Sequence, residues 1–285
     1  MPDRLDPSTY TDLIRRALAE DVGSGDITSN AIIPAASAGS AVFVAKTSLI
    51  VCGLDVAHEV FRQVDPAIRW TLTKADGDSC EPGDTIGRVE GAARSILTAE
   101  RTALNVLQHL SGIATLTRAF VDRAAPMVVL DTRKTLPGMR HLAKYAVRCG
   151  GGTNHRFGLF DAILIKDNHI RVAGGIGEAV RLARGNAPAG PIEVEAQSLD
   201  DVDAALAAGA DIIMLDNLDD AATHRAVERI AGRAKVELSG NMTLERVARL
   251  AQSGADFVSV GALTHSAPGA DISLEITIES DTTAS

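Results

Sequence analysis

Six short β-branched apolar runs, each delivering polar residues at its C-terminal end, constrain this chain more than any other feature. They are MVVLD (127–131), AILI (162–165), PIEVEA (191–196), DIIMLD (211–216), KVELSG (235–240) and DFVSVG (256–261). Between the later runs lie stretches with apolar residues at helical spacing, most ending at Gly: IGEAVRLARG, LDDVDAALAAGA, DAATHRAVERIAGRA and TLERVARLAQSGA. From Glu195 the run ends recur at Asp216, Ser239 and Gly261. That interval is close to the shortest that holds a strand, a helix and two turns. The runs lack polar alternation, so the strands they predict are buried on both faces, as in a parallel sheet. Repeated βα units read as a barrel or a doubly wound sheet. A barrel is favoured because it gathers all the polar strand ends around one mouth. With six clear strands, the expected barrel is incomplete.

The first half has a different character. AVFVAK (41–46), LIVCG (49–53), WTLTK (70–74) and DTIGRVEG (84–91) read as strands, with helical patterns over 7–20, 54–64 and about 95–124. This is α+β in style. EPGDTIGRVEG resembles part of a biotinyl carrier barrel, but no Met-Lys-Met hairpin follows, and it is read as a small structural β unit. DISLEITI (271–278) alternates cleanly and is expected to return to the N-terminal sheet, with SDTTAS as a loose tail. The domains expected are 1–108, joined by 268–285, and a barrel over 109–267.

Composition narrows the ligand. The net charge of -9 and pI near 5.3 argue against a binder of nucleic-acid backbone, and 3% aromatics argue against a base-stacking surface. The three cysteines have no close-paired spacing, and the first residues carry no apolar signal core, so a cytoplasmic protein without membrane spans is expected. Against this acidic background, residues 133–166 carry a net +6: Arg133, Lys134, Arg140, Lys144, Arg148, Arg156 and Lys166 face one acid, Asp161. Such crowding is self-repulsive unless an anion meets it, so a small, multiply anionic ligand is expected.

The candidate residues follow from the strand ends. Arg133 and Lys134 sit just past a buried strand; Arg supplies a bidentate fork and Lys a point charge. The glycines of GGGTNHRFGLFD either admit a ligand or end a helix over 138–149, and His155 beside Arg156 is a second clamp or an ordinary loop pair. Lys166 is a Schiff-base amine, an anion's counter-charge or a snorkelling strand-end residue; the cations around it favour the second. His169 reads as a structural hydrogen-bonder. Glu195 and Asp216 end successive strands, where two carboxylates can share Mg2+ with substrate phosphates or each pair with a lysine. Glu193, two residues before Glu195, shares its face one layer deeper. Ser239, Gly240 and Asn241, and likewise Gly261 and Ala262, form strand-end turns whose N–H groups can cradle a phosphate. Arg101 lies on the long helix, where spacing gives no reason to bring it to the mouth.

Taken together, EDVGSGDITS (20–29), TAERTALNVLQHLSGIAT (98–115), DTRKTLPGMR (131–140), KYAVRCGGGTNHRFGLFDAILIKDNH (144–169), EVEA (193–196), MLDN (214–217), ELSGN (237–241) and SVGALTHS (259–266) resemble the decarboxylating quinolinate phosphoribosyltransferases of NAD biosynthesis. The resemblance spans nearly the whole chain. It implies an open-faced sandwich N-terminal domain, an incomplete α/β barrel, and a homodimer in which each mouth is closed by the other subunit. It further implies that Arg101 is contributed across that interface, and that Arg133, His155 and Arg156 hold quinolinate. Lys134 and Lys166 would lie near both substrates, Glu195 and Asp216 at the ribose and Mg2+ of phosphoribosyl pyrophosphate, and residues 239–241, 261 and 262 at its 5′-phosphate. A related transferase acting on another ring acid, a Schiff-base aldolase using Lys166, and a non-catalytic anion binder are the alternatives. Arg140, Lys144 and Arg148 either line the mouth or cover a helix.

Overall fold

The structure is a computed structural model, described here over residues 4–186 and 190–278; the expected tail lies outside these residues. The chain forms two compact units, one from Met1–Arg118, Leu136–Gly151 and Ser266–Ser285, the other from Ala119–Thr135 and Gly152–His265.

In the first unit a 3-10 turn at Pro7–Thr9 leads into α1 (Thr11–Val22) and α2 (Ile27–Ile32), the latter capped by Asp26, whose carboxylate accepts from Ser29 N. There follow β1 (Ala38–Ala45), β2 (Leu49–Ile50), α3 (Leu54–Val64), β3 (Arg69–Leu72), β4 (Ser79–Cys80), β5 (Thr85–Ala92) and the 32-residue α4 (Ala93–Ala124). An aromatic cluster fills part of its core: Phe43 packs against Phe61 and Trp70 with ring centroids 6.0 and 5.3 Å away. Cys52 and Cys149 meet Asp76 in this core, with ligand-type atoms within 4.8 Å of one another. Asp76 is committed to the fold, accepting from Gly53 N, Leu54 N and the Tyr145 hydroxyl.

The second unit carries β6 (Val128–Leu130). The chain then returns α5 (Arg140–Cys149) to the first unit before continuing with β7 (Ile163–Ile165), α6 (Asp167–Ala173), α7 (Ile176–Asn186), β8 (Ile192–Ala196), α8 (Leu199–Ala207), β9 (Ile212–Asp216), α9 (Asp220–Ile230), β10 (Lys235–Ser239), α10 (Leu244–Leu250), β11 (Phe257–Ser259) and α11 (Ala262–His265). Its six strands form one parallel sheet, ordered β6-β11-β10-β9-β8-β7. The outer strands β6 and β7 do not pair with each other, so the barrel is incomplete, as the strand count indicated. Val194, Ile213, Leu238 and Val258 are buried aliphatics, as strands covered on both faces require. Finally β12 (Ile272–Ile278) pairs antiparallel with β1, from Ala45 opposite Ile272 to Gly39 opposite Ile278, which gives the sheet order β12-β1-β5-β3. The alternating C-terminal segment thus joins the N-terminal sheet.

The boundary expected at 108/109 falls within α4, which runs unbroken with no proline to interrupt its hydrogen-bond ladder. Segment 136–151 packs with the first compact unit. Its Lys144 is 2% exposed, so it is packed within α5's buried face and does not line a mouth. Helices α2, α6 and α11 were not legible as periodic patterns, being only 6, 7 and 4 residues long.

Candidate active site

A cavity of about 900 Å3 opens at the C-terminal ends of the parallel strands. Side-chain alternation builds it, because every second residue of a strand faces the same way. Leu164 and Lys166 line it from β7, Glu195 and Gln197 from the end of β8, and Met214 and Asp216 from β9. Glu237 and Ser239 from β10, and Ser259 and Gly261 from the end of β11, complete the ring. Of the residues singled out in the sequence, Arg133, Lys134, His155, Arg156, Lys166, Glu195, Asp216, Ser239, Gly240, Asn241, Gly261 and Ala262 all line this one space. Arg101 does not; it is exposed on α4 in the first unit. The basic island therefore divides: Arg133, Lys134, Arg156 and Lys166 reach the cavity, while Arg140, Lys144 and Arg148 lie on α5.

Asp131, fully buried beneath the Arg133–Lys134 loop, ties two cationic segments together. Its carboxylate accepts from His155 N at 2.9 Å and Asn154 Nδ2 at 2.7 Å, and its own N–H donates to Thr153 O. Thr264 Oγ1 donates to Lys134 O at 2.7 Å and so fixes the backbone that carries the lysine. Arg156 donates from Nη1 to Ala162 O at 3.2 Å. Burial, with the Arg133 charge beside it, holds Arg156 below the usual guanidinium value. An anion bound between the two would relieve that repulsion.

Lys166 donates from Nζ to Glu195 Oε2 at 2.7 Å, and Gln197 Nε2 lies 3.3 Å from the other oxygen. Lys166 N donates to His169 Nδ1, giving His169 the structural role expected of it. Asp216 Oδ2 accepts from Asn217 Nδ2 at 2.8 Å, and Asn217 Oδ1 accepts from Asn241 Nδ2 at 3.2 Å. Asn217 thus connects a strand-end carboxylate to the neighbouring turn. It was missed as a site residue, although its place directly after Asp216 in MLDN could have suggested it.

Below the cations sits a polar layer that sequence reasoning only half found. His155 Nε2 lies 3.1 Å from Glu193 Oε2 and 3.5 Å from Glu237 Oε2, and all three residues offer atoms within 4.8 Å of one another. Glu193 and Glu237 are 4% and 1% exposed, and the Oε1 atom of each has no hydrogen-bond partner. Two ionised carboxylates at that separation repel by about 3 to 4 kcal/mol at an effective dielectric near 20. Burial opposes charging His155, but its bonds to Glu193 and Glu237 outweigh that and raise the ring to about 10. Burial likewise raises Glu193. His155 Nδ1 lies 2.7 Å from Arg156 N, which turns Nε2 toward the two carboxylates, and these favour a proton there. His155, Glu193 and Glu237 thus form one coupled, buried polar cluster.

The fold and cavity define a class: an α/β-barrel enzyme whose strand-end mouth is built for small, multiply anionic substrates. Family comparison specifies it further. The model described as Quinolinate phosphoribosyl transferase, N-terminal domain, matches residues 26–111, and that of the C-terminal domain matches residues 113–275. A nicotinate-nucleotide pyrophosphorylase (carboxylating) from Mycobacterium leprae is 45% identical, covering 93% of this chain and 96% of its own. The chloroplastic protein of the same name from Arabidopsis thaliana is 45% identical over 94% of this chain and 82% of its own. The crystal structure of NadC from Streptococcus pyogenes superposes with a TM-score of 0.93 at 42% identity, over 98% of this chain and all of that one. The chain belongs to the quinolinate phosphoribosyltransferase family.

Proposed function

We propose that this enzyme transfers the phosphoribosyl group of 5-phosphoribosyl 1-pyrophosphate to quinolinate, giving nicotinate mononucleotide, pyrophosphate and CO2 in NAD biosynthesis. The observation that carries this reading is the convergence of Arg133, Lys134, Arg156 and Lys166 on a cavity also lined by Glu195, Asp216 and the Gly240–Asn241 turn. Cations for a dicarboxylate, carboxylates for ribose and a turn for phosphate share one space of a size suited to two small substrates.

Arg133 and Arg156 hold the two pyridine carboxylates, with His155 fixing the Arg156 backbone. Lys134 and Lys166 stand between the substrates. As the C1–oxygen bond to pyrophosphate breaks, its electron pair leaves with pyrophosphate and the ribose becomes oxocarbenium-like. The lysines stabilise the departing charge while Glu195 and Asp216 face the ribose hydroxyls. The pyridine nitrogen then forms the new bond to C1. The resulting pyridinium accepts the electron pair released when the adjacent carbon–carboxylate bond breaks, and that carbon takes up a proton. Positioning two anions against their own repulsion is most of the catalytic task.

Mg2+ fits the donor chemistry of the site, since Glu195 and Asp216 offer hard oxygen ligands at neighbouring strand ends. Glu195 is already held by Lys166, which leaves Asp216 as the principal protein ligand beside substrate phosphates. When bound, the ion supplies charge neutralisation for the pyrophosphate group.

Arg101 is proposed to reach the site of a second subunit in a homodimer, since within the chain it does not line the cavity. Purified protein given quinolinate, phosphoribosyl pyrophosphate and Mg2+ is expected to release pyrophosphate and CO2 in equal amounts, with nicotinate inactive in parallel. A folded preparation that yields neither product refutes the reading. Mixed dimers of Arg101→Ala with Lys134→Ala are expected to regain activity that neither variant has alone.

A further inference from the structure

One cation near the site does not line the cavity. Arg246, on the first turn of α10, has a side chain only 14% exposed. Its backbone N–H is fixed by Thr243 Oγ1 at 3.2 Å. Its guanidinium donates in three directions: from Nη1 to Gly240 O at 2.8 Å, from Nη2 to Leu218 O, and from Nε to Asp220 Oδ1 at 3.0 Å. The second Asp220 oxygen takes Arg249 Nε at 3.1 Å, so the acceptor that orients Arg246 is itself held. One planar fork therefore stitches the loop after β9 to the turn after β10.

The stitched turn is the one proposed for phosphate. Gly240 has φ 90° and Asn241 φ 48°, two left-handed residues in succession that turn the chain sharply after β10 at the edge of the cavity. In a trans peptide the C=O and the following N–H point opposite ways. With the Gly240 carbonyl turned onto Arg246, the Asn241 N–H is turned away from it, and no described protein group accepts from it. A guanidinium on the carbonyl also polarises that peptide toward a stronger N–H donor.

We propose that Arg246 is a positioning residue for the phosphate-bearing substrate, holding the Gly240–Asn241 turn in its anion-binding conformation and tying it to the loop that follows Asp216. This rests on the phosphoribosyltransferase reading. Arginine is required because lysine, with a point charge and no fork, cannot serve both carbonyls and Asp220 at once.

The test uses the full-length protein and the variants Arg246→Met and Arg246→Lys. Loss of the fork is expected to raise KM for phosphoribosyl pyrophosphate by roughly tenfold or more in Arg246→Met, with KM for quinolinate within about twofold of the parent. Arg246→Lys is expected to fall between. A parallel measurement needs no turnover: inorganic phosphate is expected to raise the melting temperature of the parent, and this increment shrinks in both variants while the increment from quinolinate is retained. Equal rises in both KM values, a fall in kcat alone, or an undiminished phosphate increment overturns the proposal. Should Arg246→Met fail to fold, the Arg246→Lys comparison decides. An inactive parent whose phosphate increment still depends on Arg246 would refute the reaction and leave the positioning role standing.

Discussion

Lys166 Nζ and Glu195 Oε2 lie 2.7 Å apart, joining the ends of adjacent strands β7 and β8 at the floor of an anion-binding mouth. The pair makes Lys166 a counter-charge among the cavity's anion-binding groups, the role that the surrounding cations favoured over a Schiff-base amine. Borohydride treatment in the presence of carbonyl compounds is expected to leave the mass of the protein unchanged. Lys166→Ala strands Glu195, which is 7% exposed, and is expected to abolish turnover and cost about 1–3 kcal/mol, since the lysine itself is partly solvated. Chemical denaturation checks the second figure.

Gly240→Ala is expected to damage both fold and phosphate use. The residue has φ 90°, and a Cβ there would sit 2.2 Å from Asn217 Oδ1. Either the turn unwinds or Asn217 leaves Asp216. We expect a loss of about 1–3 kcal/mol in stability and a higher KM for phosphoribosyl pyrophosphate, read by thermal melts and steady-state kinetics.

Asp131→Ala removes a fully buried acceptor and leaves His155 N and Asn154 Nδ2 without it. Losing two bonds to a buried carboxylate is expected to cost about 1–3 kcal/mol in all, lowering the denaturant midpoint. Because the same bonds register the Arg133 loop against the Arg156 loop, quinolinate affinity measured by calorimetry is expected to fall with it.

Asp76 gives a pH signature in the first unit. Burial raises its carboxyl above the ordinary value of 3.8, despite the donors from Tyr145, Leu54 and Gly53. The folded state therefore holds this proton to higher pH than the unfolded state does, and the group's contribution to stability declines as pH rises from 3.8 through the raised value. Asp76→Asn keeps an acceptor for Gly53 and Leu54 and can donate to the Tyr145 oxygen. Its stability relative to the parent is expected to increase across that window and then level off; a constant difference between pH 3 and 7 would refute the assignment.

Mixing Arg101→Ala with Lys134→Ala tests whether sites are shared between subunits. Recovered activity confined to verified mixed dimers is the expected outcome, and its absence there would place Arg101 outside the site.

The sequence by itself determined the parallel strands, their polar C-terminal ends and most of the cavity's lining. Those follow from covalent geometry: alternation along a strand sends Glu193 and Glu195, or Met214 and Asp216, to one face whatever else the chain does. The joint presence of the motifs from EDVGSGDITS to SVGALTHS identified the family for the same reason, since each is a contiguous local string. Only the tertiary structure decided which charges meet. Arg140, Lys144 and Arg148 share the basic island in sequence, yet α5 takes them to the first unit. Glu193, Glu237 and His155, from two strands and a loop, meet in one buried cluster, and Arg246 reaches carbonyls on two separate loops. Such meetings depend on strand register and loop path, which are fixed by packing over the whole unit rather than by any local pattern.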